Sequence, residues 1–240
     1  MQAIKRDNLD DQIVRAITDA IAEGEWKPGD RLPSETQLAE MFNTSRPTTR
    51  AALQKLNALG ILDTRVGQGT FVKEFDFRTN FDYISNLITT PEMQNDVLDF
   101  RKTIESACVN LLIDRASDEM ITELEQKCNN YCDAFYQVKV FDKSTFSSLS
   151  KLDYEFHYTI CKLSGNSLLA LSYAAAQGTL NEYFYLNVIS RYNRHIKKND
   201  MEGFLESAQS HKALVEAIKA RDKKKAIVVL NRIVDYKETL

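Results

Sequence analysis

The chain is short of the residues that punctuate a strand-rich or loop-rich fold. Its 240 residues include eight glycines and four prolines. So few turn formers argue against a barrel or sandwich of many short strands and for long helices. Three of the prolines, Pro28, Pro33 and Pro47, fall in the first fifth of the chain. A short, turn-rich N-terminal module followed by a long helical remainder is therefore expected. No run of about twenty apolar residues occurs, so no membrane span is expected. The opening "MQAIKRDNLDDQIV" has no apolar signal core, and a cytoplasmic location is the expectation. The four cysteines (Cys108, Cys128, Cys132 and Cys161) sit inside helical patterns and read as reduced, packing thiols. Cys128 and Cys132 share a helix face, but no second pair is offered to complete a zinc site. Strong positive charge is missing too. The net charge of −3 does not advertise nucleic-acid binding.

What is present changes that picture locally. Apolar residues make up 43% of the chain, enough for a real core. Residues 31–73 hold six bases (Arg31, Arg46, Arg50, Lys55, Arg65, Lys73) and three acids (Glu35, Glu40, Asp63), a net of +3. Before them, Ile13, Ile17 and Ile21 recur every four residues. They mark one apolar stripe on a helix from about residue 8 to 23, stopped by Gly24. "KPGD" at 27–30 is a turn. Ser34 and Gln37 have capping-box spacing, so a second helix starts there, with Leu38, Met41 and Phe42 as its buried face. Asn43-Thr44 is a tight connection. Ser45 caps the next helix and Pro47 fits its first turn. Ala52, Leu56 and Leu59 are expected to face inward, with Arg46, Arg50 and Gln54 opposite. Two short helices joined this closely form a helix-turn-helix. Gly60 ends it, and "ILDTR" and "TFV" flank "VGQG" as a hairpin.

Three chemistries compete for this segment. A phosphate loop needs glycines before a helix, whereas these lie between two strands. A solvated basic face would explain Arg46 and Arg50 alone. The order helix, turn, helix, wing, with bases at the helix start and the wing tip, favours DNA reading. The stretch "GDRLPSETQLAEMFNTSRPTTRAALQKLNALGILDTRVGQGTFV" resembles the N-terminal domain of the GntR superfamily of bacterial transcription regulators. The resemblance implies that Arg46, Thr48 and Arg50 enter the major groove and that Gly67 and Gln68 meet the minor groove. Thr36, Ser45 and Arg65 join them as DNA-binding candidates. Thr36 stands where the family often has arginine, which weakens or removes one usual contact. The threonines at 48 and 49 replace a more usual apolar residue.

From Asp96 onward the pattern is helical, with segments at about 142–164, 166–190, 201–220 and 222–238. "DVLDFRKTIESACVNLLIDRASDEMITELE", "LDYEFHYTICKLSGNSLL" and "SHKALVEAIKARDKKKA" resemble the all-helical FCD ligand-binding domain of one GntR branch. The expected organisation is a winged helix-turn-helix at 1–75, a linker with a short helix at 76–95, and an all-α effector domain at 96–240. Asp153 and His157, four apart on one helix face, can converge on one ion. Spacing alone equally allows a local pair with satisfied core histidines. The resemblance implies that both join His211 in a metal site of one carboxylate and three histidines. The third histidine should lie roughly 20 residues before His211, where "YLNVISRYNRH" offers none, and His195 lies late for it. The site then has three protein ligands, uses Asn187, or is degenerate. Zinc, nickel or manganese suits such a set. Arg101 matches a family arginine facing the same cavity and would suit an anionic effector, an organic acid. Its plainer reading is a surface ion pair with Glu105.

The expected function is a ligand-responsive transcription regulator, a repressor that binds a pseudo-palindromic operator as a homodimer. It is not expected to be an enzyme. A metal-dependent hydrolase built on the helical domain is the rival. That reading lacks a placed general base and leaves the DNA module unexplained. A regulator with a metal-free effector site, or an architectural DNA-binding protein without effector, are further readings.

Overall fold

A computed structural model of the chain describes residues 8–74, 93–206 and 208–234. They form two compact units. The expected linker at 76–95 lies outside the described residues, save for its last three.

The first unit holds α1 (Leu9–Ala22), α2 (Glu35–Met41), α3 (Arg46–Ala58), β1 (Leu62–Arg65) and β2 (Gly69–Val72). The capping box at α2 forms as its spacing predicts. The Gln37 amide N–H donates to Ser34 Oγ at 3.3 Å, and the Ser34 N–H donates to Gln37 Oε1 at 2.9 Å. Asn43 takes φ 48°, which the tight connection into α3 requires. Of the two threonines, Thr49 is fully buried. Its hydroxyl lies 3.0 Å from that of Thr44 and donates to the Ser45 carbonyl at 3.3 Å. The polar group therefore costs little there. Ile13, Ile17, Leu32, Leu38, Ala52, Leu53, Leu56, Leu62 and Val72 form one core. Two inward assignments fail. Met41 is the last residue of a seven-residue helix and Leu59 follows the last turn of α3. Both are exposed. β1 and β2 pair antiparallel with Leu62 opposite Val72 and Arg65 opposite Gly69, so the wing is a two-stranded hairpin.

The second unit is all-helical among the described residues: α4 (Gln94–Arg115), α5 (Asp118–Tyr136), α6 (Lys143–Leu163), α7 (Ser167–Ala175), α8 (Gln177–Lys198), α9 (Met201–Glu206), α10 (Gln209–Lys219) and α11 (Lys223–Val234). The single helices expected at 166–190 and 201–220 are each two. Helix α6 packs against α4, α5, α7 and α8. Being covered on so many sides, it carries Asp153 and His157 into the interior beside Phe156 and Ile160. All four cysteines are buried, free thiols. No helix among the described residues is long and apolar enough to cross a membrane.

Candidate functional site

The DNA-reading candidates gather on α2, α3 and the wing. Arg46 opens α3 and Arg50 lies one turn on, both exposed. Ser45 caps the helix: the Thr48 N–H donates to Ser45 Oγ at 3.3 Å, and the two hydroxyls lie 2.8 Å apart. Arg50 donates from Nε and Nη2 to both carboxylate oxygens of Glu35, at 3.0 and 2.8 Å. Glu35 Oε1 also lies 3.9 Å from Arg46 Nε. That carboxylate raises the Arg50 pKa further above its ordinary value. The local positive charge is partly internalised elsewhere. Lys55 reaches Asp10 and Asp11 of α1 at 2.6 and 2.8 Å. Arg65 reaches Asp63 at 2.8 Å while its guanidinium covers Phe71. Gly67 and Gln68 are exposed at the wing tip beside Val66, and Thr36 is exposed on α2. Gly67 has φ 75° and Gly69 φ 112°.

The second unit brings together residues that lie more than fifty positions apart. Asp153 and His157 of α6 and His211 of α10 are all buried. Each offers one ligand atom within 4.8 Å of the others. His211 Nε2 lies 3.1 Å from Asp153 Oδ1, and His157 Nε2 lies 3.6 Å from Asp153 Oδ2. Asp153 Oδ2 and His157 Nε2 have no hydrogen-bond partner among the described residues. A carboxylate and two imidazoles with buried, uncommitted donor atoms fit a divalent cation of borderline softness. Burial pushes the His211 imidazole down, against the upward pull of the Asp153 carboxylate. A neutral imidazole is the form that binds metal.

Behind this triad stands Glu105 of α4. Its Oε2 lies 2.8 Å from His157 Nδ1, and its Oε1 accepts from Arg101 Nε at 2.6 Å and from the Tyr173 hydroxyl at 2.9 Å. Burial alone would raise the Glu105 carboxyl. Arg101, and after it His157, outweigh burial and hold it at about 2. A carboxylate behind a ligating imidazole fixes the ring's orientation. The Arg101–Glu105 pair expected at the surface is thus 1% and 0% exposed. A hydrophilic i,i+4 spacing cannot reveal burial when the helix is covered on several sides. Burial works against the Arg101 charge, and the Glu105 carboxylate more than restores it. The guanidinium lies 4.2 Å over the Phe184 ring, and Nη2 has no hydrogen-bond partner.

A cavity opens beside these groups, lined by Arg101, Asp153, Asn187 and Arg191 among the apolar Phe184 and Val188. Asn187 donates its Nδ2 back to the Tyr183 carbonyl at 2.9 Å. His195 turns instead to Asp200, 3.0 Å away. Sequence reasoning missed Glu105 as an orienting group and Arg191 altogether. Arg191 stands twenty residues before His211, where the resemblance placed a third histidine.

A winged helix-turn-helix joined to a helical domain with a buried polar cavity defines the class: a DNA-binding transcription regulator with an effector domain. Comparison with known proteins gives the family. Residues 9–72 match the profile of bacterial regulatory proteins of the gntR family, and residues 96–235 match the FCD domain. The chain belongs to the gntR family, in the branch that carries FCD. It is 30% identical over 150 residues to the HTH-type transcriptional regulator LutR of Bacillus subtilis, covering 62% of this chain and 65% of LutR. It is 48% identical over 71 residues to the mannosyl-D-glycerate transport/metabolism system repressor MngR of Escherichia coli, covering 30% of this chain and 29% of that one. The solved structure of Streptococcus agalactiae GntR shares the fold, with a TM-score of 0.70 at 21% identity over 94% of this chain and 97% of that one. These matches name regulators, not enzymes.

Proposed function

We propose that the protein is a repressor that binds a pseudo-palindromic operator as a homodimer and answers to a small organic acid held in the helical domain. The observation that carries the effector reading is the buried set Arg101, Glu105, Asp153, His157 and His211 on three helices. Burying five ionisable groups is costly to a helical bundle and needs a ligand-related return. Asp153, His157 and His211 would hold a divalent ion, zinc, nickel or manganese. Such an ion supplies positive charge and an open position to an acidic effector. Arg101 would bind the same acid bidentately. The 1–75, 76–95 and 96–240 division is kept as the working organisation, with a cytoplasmic setting.

Arg46, Thr48 and Arg50 would read the major groove, with Thr36, Ser45 and Arg65 contributing and Gly67 and Gln68 in the minor groove. One such module covers little DNA, so two related by a two-fold axis are needed. Effector binding then shifts the population between DNA-bound and released dimers. An operator selected from random duplexes should be retarded by the protein and released by a carboxylic acid, with a dimer in sedimentation at micromolar concentration. A monomer with and without DNA, or retardation that no acid alters, would overturn this reading.

A further inference from the structure

Two thiols share one face of α5. Cys128 and Cys132 stand one turn apart, both buried, with their Sγ atoms 4.0 Å from each other. The proposed effector site uses neither. Cys132 Sγ donates to the Ala208 carbonyl, just before α10, at 3.4 Å. That carbonyl also accepts from the His211 N–H at 3.2 Å. The pair therefore lies in the seam where α5 packs against α10.

The helix decides what such a pair can do. Side chains four apart on a helix have Cβ atoms about 5–6 Å apart, whereas a disulfide needs about 3.5–4.5 Å. Closing a disulfide would unwind this turn of α5. An ion lying between the sulfurs asks for no such closure. A first-row metal–thiolate bond is about 2.3 Å, so two of them in line span about 4.6 Å. The sulfurs would part by roughly half an ångström, within reach of side-chain rotation.

Donor number and charge select the ion. A structural zinc site takes four protein ligands, and no third ligating group joins these two among the described residues. A soft monovalent ion of the copper(I) class is satisfied by two thiolates. Binding releases two S–H protons to water and takes up one cation, so the site gains one negative charge. No electron moves, because the ion arrives already as copper(I). Lys212 of α10 answers that charge. Cys128 is held above its ordinary value, first by its hydrogen bond to Cys132 and then by burial, while Cys132 is held below because it accepts that bond. After these, the Lys212 ammonium pulls both sulfurs toward the thiolate. The second thiol pair, Cys108 and Cys161, is set differently. Beyond their mutual hydrogen bond and burial, the Glu105 carboxylate opposes charge on both, and Arg101 eases it on Cys161 alone.

We propose that Cys128 and Cys132 form a two-coordinate site for copper(I) or a like soft monovalent ion, separate from the triad. Binding withdraws the Cys132 donor from the Ala208 carbonyl, at the foot of the helix that bears His211.

The test is anaerobic titration of the reduced full chain with copper(I), supplied as its acetonitrile complex and competed with the chromogenic chelator bathocuproine disulfonate. One ion per chain should be held. Cys128→Ser and Cys132→Ser should each weaken that binding by at least about a hundredfold, more than the loss of an outer-shell partner costs. Cys108→Ser and His157→Ala should keep it. Circular dichroism reports whether each variant is folded. X-ray absorption at the copper edge of the wild type should show two sulfur neighbours and no nitrogen or oxygen, a reading that needs no variant. No ion held by the wild type, undiminished binding in Cys128→Ser or Cys132→Ser, loss of binding in folded His157→Ala, or a nitrogen or oxygen neighbour at the metal overturns the site.

Discussion

Arg50 of α3 and Glu35 of α2 face each other through two hydrogen bonds, 3.0 and 2.8 Å long, across the helix-turn-helix. The pair is exposed, so it adds little to stability. Its use is to hold a long side chain in one direction before DNA arrives. Arg50→Ala should weaken operator binding by roughly ten- to a hundredfold, the value of a good base contact. Glu35→Ala should keep non-specific binding and lose discrimination between operator and random duplex. Lys73→Ala should act equally on both and lower the salt slope by about one. Fluorescence anisotropy on the two duplexes at several salt concentrations reads all three. Operator binding by Arg50→Ala at the parental level would remove α3 from the major groove.

The wing depends on one glycine more than another. A Cβ on Gly69 would lie 2.7 Å from Arg31 Nε, on a backbone with φ 112°. A Cβ on Gly67 would meet nothing within 4 Å, and its φ of 75° is one that asparagine tolerates. Gly69→Ala should therefore destabilise the DNA module by about 1–3 kcal/mol, and Gly67→Asn by well under 1 kcal/mol. Trp26 is the sole tryptophan and packs against this module's core. Urea unfolding followed by its fluorescence reports on this module alone. Equal midpoints for both variants would refute the assigned hairpin geometry.

The helical domain should be acid-labile in two stages. His211 is held below its ordinary 6.5 by burial, so the unfolded chain takes up a proton that the folded one refuses. Stability should fall as pH drops below about 6.5. Glu105 is held at about 2 against an ordinary 4.5. Its contribution is complete above 4.5 and is lost as pH falls from there toward 2. Far-UV circular dichroism under urea at several pH values follows the helical domain. His211→Gln should remove the first stage and spare the second. A urea midpoint for the wild type that stays constant from pH 8 to 5 would contradict the buried, neutral His211.

Metal retention should follow the triad. The wild type incubated with zinc and desalted should carry the ion, and His157→Ala and His211→Ala should lose it. Occupancy should fall on acidification, since imidazolium does not ligate. Elemental analysis of the three proteins decides it. Equal content in all, or none in any, would leave Asp153 and His157 as structural residues.

Local sequence determined a good deal here. The helix-turn-helix and its wing were legible because caps, a left-handed asparagine, a proline and a glycine hairpin all act within a few residues. The Ser34–Gln37 box and the Ser45 cap are interactions between near neighbours, so spacing specifies them. The helical character of the second unit was legible for the same reason. What spacing could not supply was depth. Arg101 and Glu105 are four apart, as on any solvated helix face, and only the covering by α6, α7 and α8 makes their pair a buried one. The breaks between α7 and α8 and between α9 and α10 carry no proline, so the local sequence does not mark them. Arg191 is one base among several on α8. Its place in the cavity depends on how α8 lies against α4 and α6, an arrangement set by contacts between residues far apart in sequence. Local sequence thus specifies which elements form and where they end. Tertiary packing decides which of their charges leave water and so become available to a ligand.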